Sequence, residues 1–399
     1  MSKRQIYLLS FLFFMWGLIS CLNDLLVPYV RGVFDLSYTQ AMMVQFSFFS
    51  AYFFFSIPLG LLINRIGYQQ GIVLGLVVSA VGCMMFLPAA ELPSYAAFLL
   101  ALFVMATGVC CLQVSANPYV TSMGPEESAA SRLNLTQGFN SLGTTVAPFI
   151  ASIFIFSSFA DFSPSAKDVQ LPYLVIALLL VLLAIFFSRS HFPIVSYSFD
   201  NQQINNAQRV NLKSMVQVLM THRHLMLGAV GIFFYVGVEV SIGSLLVNFI
   251  ADPTIGNMTE ALASQYVTIF WAGSMIGRFL GFYLMCRISP NLLLTVNTAL
   301  ASMLVLMAVF TTGQLAMWSI LLVGLCHSIM FPTVFSLAIA KLGAATPQGA
   351  GILCLAIIGG AVIPIFQGLL ADMVGVQMSL LLALVSYLYI AFFSVCGYK

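Results

Sequence analysis

FFMWGLISCLNDLL, residues 13–26, and FFYVGVEVSIGSLL, residues 233–246, align without a gap. The leading phenylalanine pair, Gly17 against Gly237, and the closing leucine pair coincide. Two residues further out of step, Arg65-Ile66 meets Arg287-Ile288. Two long apolar stretches, related halfway along the chain, read as the opening helices of a duplicated unit. Only the first copy carries Asn23-Asp24, and only the second carries Glu239.

The surroundings of these stretches decide what kind of helix they form. The 399-residue chain is 61% hydrophobic and 7% charged, against about 25% charged in soluble proteins. A water-soluble core cannot bury that share of apolar side chains, so an all-α integral membrane protein is expected. A bilayer core takes roughly 20 helical residues. Twelve such runs begin near Ile6, Thr39, Gly71, Tyr95, Leu133, Leu171, Leu225, Ala263, Leu292, Gln314, Gly351 and Gln377. The first run is longer than a signal-peptide core and reads as an uncleaved span. The one extended polar stretch, FDNQQINNAQRVNLK, lies within 189–224. It is expected to be a cytoplasmic linker between two pseudo-symmetric six-helix bundles, 1–188 and 225–399.

Charge supports the count. With the N-terminus in the cytoplasm, Lys3, Arg4, Arg65, Arg132, Arg189, Arg209, Lys213, Arg223, Arg287, Lys341 and Lys399 all fall inside, and only Arg31 and Lys167 outside. The outer loops carry Asp35, Glu91, Asp161, Asp168, Asp252 and Glu260 instead. This positive-inside bias places both termini in the cytoplasm. The net charge of +2 has no concentrated basic patch, which argues against a nucleic-acid partner. Eight cysteines and four histidines show no metal-ligand or disulfide spacing, so no metal or cofactor is expected.

Four ionisable residues lie inside spans: Asp24, Glu239, Arg278 and His327. A charged residue at mid-span costs about 2.5–3.5 kcal/mol on insertion scales, so it faces a bundle interior or a cavity. Asp24 is either a helix–helix hydrogen-bond partner or an ion-coupling residue. In the second role it loads and releases a proton, or with Asn23 ligates a small hard cation such as Na⁺. Glu239 has Tyr235 one turn before it and reads equally as a structural pair or a coupling site. His327 reads as a packing residue or a ligand contact. Arg278, near the cytoplasmic end of its span, is expected to snorkel toward water.

Neutral polar residues make a clearer pattern. Gln113 and Asn117 stand one turn apart beside Pro118 in span four, and Asn134, Gln137, Asn140 and Thr144 line one face of span five. Gln367 follows Gly359-Gly360 and Pro364 in span eleven. Amides donate and accept at once, which matches a neutral polyhydroxylated ligand; the alternative is polar glue between helices. Trp16 is placed to stack on the apolar face of a sugar ring or to pack. GLLINRIGY, 60–68, has the shape of a cytoplasmic gate: Gly60 and Gly67 permit a tight turn, and Arg65 is expected to bond helix C-terminal carbonyls.

GLLINRIGY resembles the loop signature of the major facilitator superfamily, with Asn64 where an aspartate is usual. CLNDLLVPYV, VQFSFFSAYFFFSIPLGLL, LQVSANPYVTSMGPEESAASRLNLTQGFNSLG, FFYVGVEVSIGSLLVNF and SIMFPTVFSLA resemble the fucose–galactose–glucose symporters within it. The resemblance implies the major facilitator fold and hexose uptake coupled to H⁺ or Na⁺ across a bacterial inner membrane. It gives Asp24 the coupling role. Gln113 stands where the fucose branch has a second carboxylate, which favours glucose, galactose or an amino sugar such as N-acetylglucosamine over fucose. The expected partners are a neutral sugar, the co-transported cation and the lipid bilayer, in a monomer. A membrane enzyme lacks a nucleophile–base or metal constellation here, and an ATP-driven pump lacks its phosphate loop. A uniporter or exporter on the same scaffold is the remaining alternative.

Overall fold

In hydrocarbon, every backbone N–H and C=O must find a partner inside the protein, so a spanning segment of this composition has to be helical. A computed structural model of the chain describes residues 7–21, 38–91, 94–154, 170–190 and 218–398, and their regular structure is helix. The first half contains α1 (Tyr7–Cys21), α2 (Tyr38–Ile66), α3 (Tyr68–Glu91), α4 (Tyr95–Ser122), α5 (Ala129–Phe154) and α6 (Gln170–Arg189). The second contains α7 (Arg223–Ala251), α8 (Glu260–Leu284), α9 (Pro290–Phe310), α10 (Gly313–Ile339), α11 (Gly343–Val374) and α12 (Val376–Gly397). Among the described residues, ten of these are long and apolar enough to cross a membrane; the others are the shorter α1 and the amide-rich α5. Each apolar run read from the sequence falls on one helix. Asn23, Asp24 and residues 191–217 of the expected linker lie outside the described residues.

Three helices are interrupted, and a proline accounts for one break. α10 turns at Ser328–Ile329, because Pro332 has no N–H to offer the Ser328 carbonyl. α11 begins with a 3₁₀ turn and has a second at Ala356–Ile358, just before Gly359-Gly360 and Pro364. α12 ends in a π-helical turn, Phe393–Gly397.

The described chain gathers into two compact units. Unit 1 is Met1–Met123, Phe139–Asn211 and Ala344–Leu355; unit 2 is Gly124–Gly138, Leu212–Gly343 and Ala356–Lys399. They depart from the 1–188 and 225–399 halves at two segments: the start of α5 belongs with unit 2, and the first part of α11 with unit 1.

Within each unit the repeat reappears as packing. In unit 1 a Cβ on Gly17 of α1 would strike the carbonyl oxygen of Asn140 on α5, and one on Gly143 would strike that of Phe14. Asn140 Nδ2 donates to the Phe13 carbonyl across the same seam at 3.1 Å. In unit 2 a Cβ on Gly237 of α7 would collide with Ile363 of α11, and one on Gly359 with the carbonyl oxygen of Phe233. Gly17 and Gly237, aligned in the repeat, therefore do the same job: each lets the first helix of its half lie directly on the fifth. Small residues are how membrane helices gain such close van der Waals contact. On the outer face of α6, exposed Leu178, Leu182 and Ile185 suit a hydrocarbon surrounding.

At the expected gate, Gly67 ends α2 with φ +84°, its N–H bonded to the Ile63 carbonyl at 2.8 Å. Gly60 lies against the first part of α11, where a Cβ would sit 2.9 Å from the Pro347 carbonyl oxygen. Gln69, just past this turn, caps α6: its Nε2 donates to the carbonyls of Phe187 and Ser190, at 2.8 and 2.7 Å. Arg65 is exposed.

Gly143→Ala and Gly359→Ala should each lower stability by about 1–3 kcal/mol through overpacking against backbone. Gly368, whose Cβ would meet nothing within 4 Å, should accept alanine with no loss. Thermal unfolding of the three variants in detergent checks this.

Candidate functional site

The polar cluster of unit 2 starts from Tyr235 and Glu239, one helical turn apart on α7. Tyr235 Oη donates to Glu239 Oε1 at 2.8 Å and lies 3.1 Å from the carbonyl oxygen of His327 on α10. The phenol has one proton, and the carboxylate is both the nearer and the stronger acceptor. Arg278 on α8 brings Nη2 to 4.0 Å from Glu239 Oε1. Its Nε donates to the Ser328 carbonyl at 3.3 Å and its Nη1 to the Gln137 carbonyl of α5 at 3.2 Å. The two charged side chains are only 12% and 17% exposed. Buried this far, either charge alone would cost several kcal/mol, and each compensates the other.

His327 is fully buried beside this pair. Its Nε2 is 2.6 Å from Tyr387 Oη on α12, and its ring packs edge-on against Tyr235 and Phe270 at centroid distances of 5.8 and 5.7 Å. Its Nδ1 has no hydrogen-bond partner among the described residues, and neither does Nε2 of Gln367 on α11. Ser241 of α7 and Ser274 of α8 are also buried, with hydroxyls that are unpartnered among the described residues. Buried polar atoms are nearly always paired, so each of these atoms is able to take up a hydrogen bond with a polar molecule.

In unit 1, Gln113 Oε1 accepts from Tyr52 Oη of α2 at 3.1 Å, and Asn117, one turn on, is fully buried. Trp16 is buried against Phe13, with centroids 5.2 Å apart. Asn140 commits its amide donor to the Phe13 carbonyl, and Thr144 bonds the Ser141 carbonyl within its own helix. The amide face of α5 therefore divides: Asn134 and Gln137 belong to unit 2, Asn140 and Thr144 to unit 1.

One sequence expectation is corrected. Arg278 does not snorkel; its guanidinium turns inward, because the Glu239 charge and two backbone carbonyls offer it more than water at the helix end. A signal for this existed: Pro332 leaves the Ser328 carbonyl without an intrahelical donor, and a buried carbonyl must be paired. Tyr387, the partner of His327, carried no such signal.

Residues 8–355 match the Major Facilitator Superfamily. The chain belongs to this superfamily. As a member of it, the chain is 50% identical over 393 residues to the glucose/galactose transporter of Brucella abortus biovar 1 (strain 9-941), covering 98% of this chain and 93% of the relative. It is 33% identical over 385 residues to the L-fucose-proton symporter of Escherichia coli (strain K12), covering 92% and 87%. A crystal structure of the superfamily transporter FucP in the outward conformation matches with a TM-score of 0.88 at 32% identity, over 98% of this chain and 97% of that one. The chain thus has the major facilitator fold, and its resemblance to the fucose–galactose–glucose symporters extends almost end to end.

Tyr235→Phe removes the nearest donor from Glu239 and should cost about 1–3 kcal/mol of stability. The same change at Tyr7, which is 70% exposed, should cost nothing measurable. Unfolding in detergent again provides the comparison.

Proposed function

We propose that the protein is a secondary transporter that imports a hexose with a proton by alternating access. The observation that carries this reading is the 50% identity, over 98% of the chain, to a protein named as a glucose/galactose transporter. Proton coupling is supported by the similarity to a fucose–proton symporter. Glucose or galactose is the preferred substrate, with N-acetylglucosamine as an amino-sugar candidate.

In this reading Asp24, with Asn23, carries the coupled ion. Gln113, Asn117, Gln137, Gln367 and His327 meet sugar hydroxyls, and Trp16, Asn140 and Tyr235 shape the surface around them. Unpartnered buried atoms on Gln367, His327, Ser241 and Ser274 support this, since a sugar hydroxyl both donates and accepts. The pairing of Glu239 with Arg278 makes it a charge-balanced acceptor and leaves Asp24 as the better coupling candidate. One proton moving down a membrane potential contributes about 2.3 kcal/mol per 100 mV, or roughly a fifty-fold sugar gradient. The protein is placed in a bacterial inner membrane as a monomer, both termini cytoplasmic, in line with the bias of its loop charges.

Uptake into proteoliposomes tests this, using glucose, galactose, fucose and N-acetylglucosamine under an imposed pH or Na⁺ gradient. Wild type should accumulate glucose or galactose when the pH gradient is applied. Asp24→Asn should lose at least tenfold in accumulation while retaining counterflow exchange. Accumulation driven only by Na⁺ would overturn proton coupling; accumulation that survives the mutation would return Asp24 to a structural role. Uptake of fucose alone would move the protein to the fucose branch.

A further inference from the structure

The carbonyl of Ser328 has no donor within α10, because Pro332 stands four residues later. Arg278 Nε supplies one at 3.3 Å. From the same guanidinium, Nη1 holds the Gln137 carbonyl of α5 at 3.2 Å, and Nη2 faces Glu239 of α7 at 4.0 Å. The backbone of Arg278 is held in turn: its carbonyl accepts from Asn134 Nδ2 at 2.8 Å. That approach is open because Gly281 has no Cβ, which would otherwise sit on both Asn134 and Ile329. Tyr235 completes the connection, reaching Glu239 and the carbonyl of His327, the residue before Ser328.

We infer that Arg278 is a positioning residue for sugar binding. It places Gln137, Glu239, Tyr235 and His327 by holding the opened turn of α10, the first part of α5 and the Glu239 carboxylate from one planar group. The inference rests on the hexose-transport reading, in which Gln137 and His327 meet sugar hydroxyls and Tyr235 shapes the surface beside them. Arginine is needed for geometric reasons. Its donors point in fixed directions from a rigid fork, so it serves two carbonyls and a carboxylate together; a lysine ammonium is a single point on a flexible stem. With lysine, the charge balance of Glu239 survives while the Ser328 and Gln137 carbonyls lose their shared donor. A role in stability alone would tolerate that change or lower the folded yield. A positioning role changes how well sugar binds.

The test is the hexose KM and maximal counterflow rate in proteoliposomes, alongside yield and Tm, for wild type and Arg278→Lys. The expected result is a folded variant whose KM rises at least tenfold, about 1.4 kcal/mol, with a maximal rate within threefold of wild type. An unchanged KM, whatever the yield, overturns the inference. Should Arg278→Lys not fold, the double variant Glu239→Gln with Arg278→Met takes its place, since removing both charges avoids stranding one in the interior. A tenfold KM rise in that variant supports positioning, and a wild-type KM overturns it. Failure of both variants to fold makes the residue purely structural and also overturns it. Wild-type protein that carries no hexose overturns the transport reading itself, an outcome distinct from every variant result.

Discussion

A backbone carbonyl without a partner in hydrocarbon costs several kcal/mol, and this constraint shapes the protein most clearly where Pro332 breaks α10. At the end of α6 a side chain from α3 caps the helix: Gln69 donates to its last carbonyls. Where Pro332 interrupts a helix, a side chain from the neighbouring α8 is recruited to the exposed carbonyl. Serines and threonines within spans mostly satisfy themselves, bonding the carbonyl one turn back as Ser115 does with Cys111 and Thr107 with Phe103. Such groups cost the helix little and add nothing to recognition. The polar atoms that remain are therefore the informative ones.

The same economy applies to charge. Glu239 and Arg278 are tolerable together in a low-dielectric interior and expensive apart. Their 4.0 Å separation is long for an ion pair, and the guanidinium shares its hydrogens with the Ser328 and Gln137 carbonyls. This compensation binds α5, α7, α8 and α10 of unit 2 through one side chain. In the proposed function it is Asp24 that is given the coupling role.

Recognition of a neutral sugar asks for groups that donate and accept hydrogen bonds and for apolar surface against the ring. In unit 2 the buried Nδ1 of His327 has no hydrogen-bond partner among the described residues and lies beside the rings of Tyr235, Phe270 and Tyr387. In unit 1, Gln113 and Asn117 lie one turn apart on α4, with Gln113 bonded to Tyr52. Asn134 and Asn140, which the spacing of α5 makes look equivalent to Gln137, donate to backbone carbonyls of α8 and α1. They tie helices together. An amide on a helical face is legible in sequence; whether its donors remain available depends on the neighbour it meets.

The sequence by itself determined the helical membrane fold, the placement of its spans and the duplication, because those follow from hydrocarbon thickness, backbone hydrogen bonding and a repeat visible in residues 13–26 and 233–246. The glycines of that repeat, Gly17 and Gly237, even marked the seams where helices touch. Tertiary structure alone decided which polar residues stay available. Arg278 looked like a snorkelling residue until α7 and α10 brought a carboxylate and a proline-freed carbonyl within its reach. Tyr387 was one tyrosine among many until His327 stood 2.6 Å away. Depth in a span can be read from position along the chain, but a hydrogen bond between helices depends on rotation and register. Those are set by packing across the whole bundle.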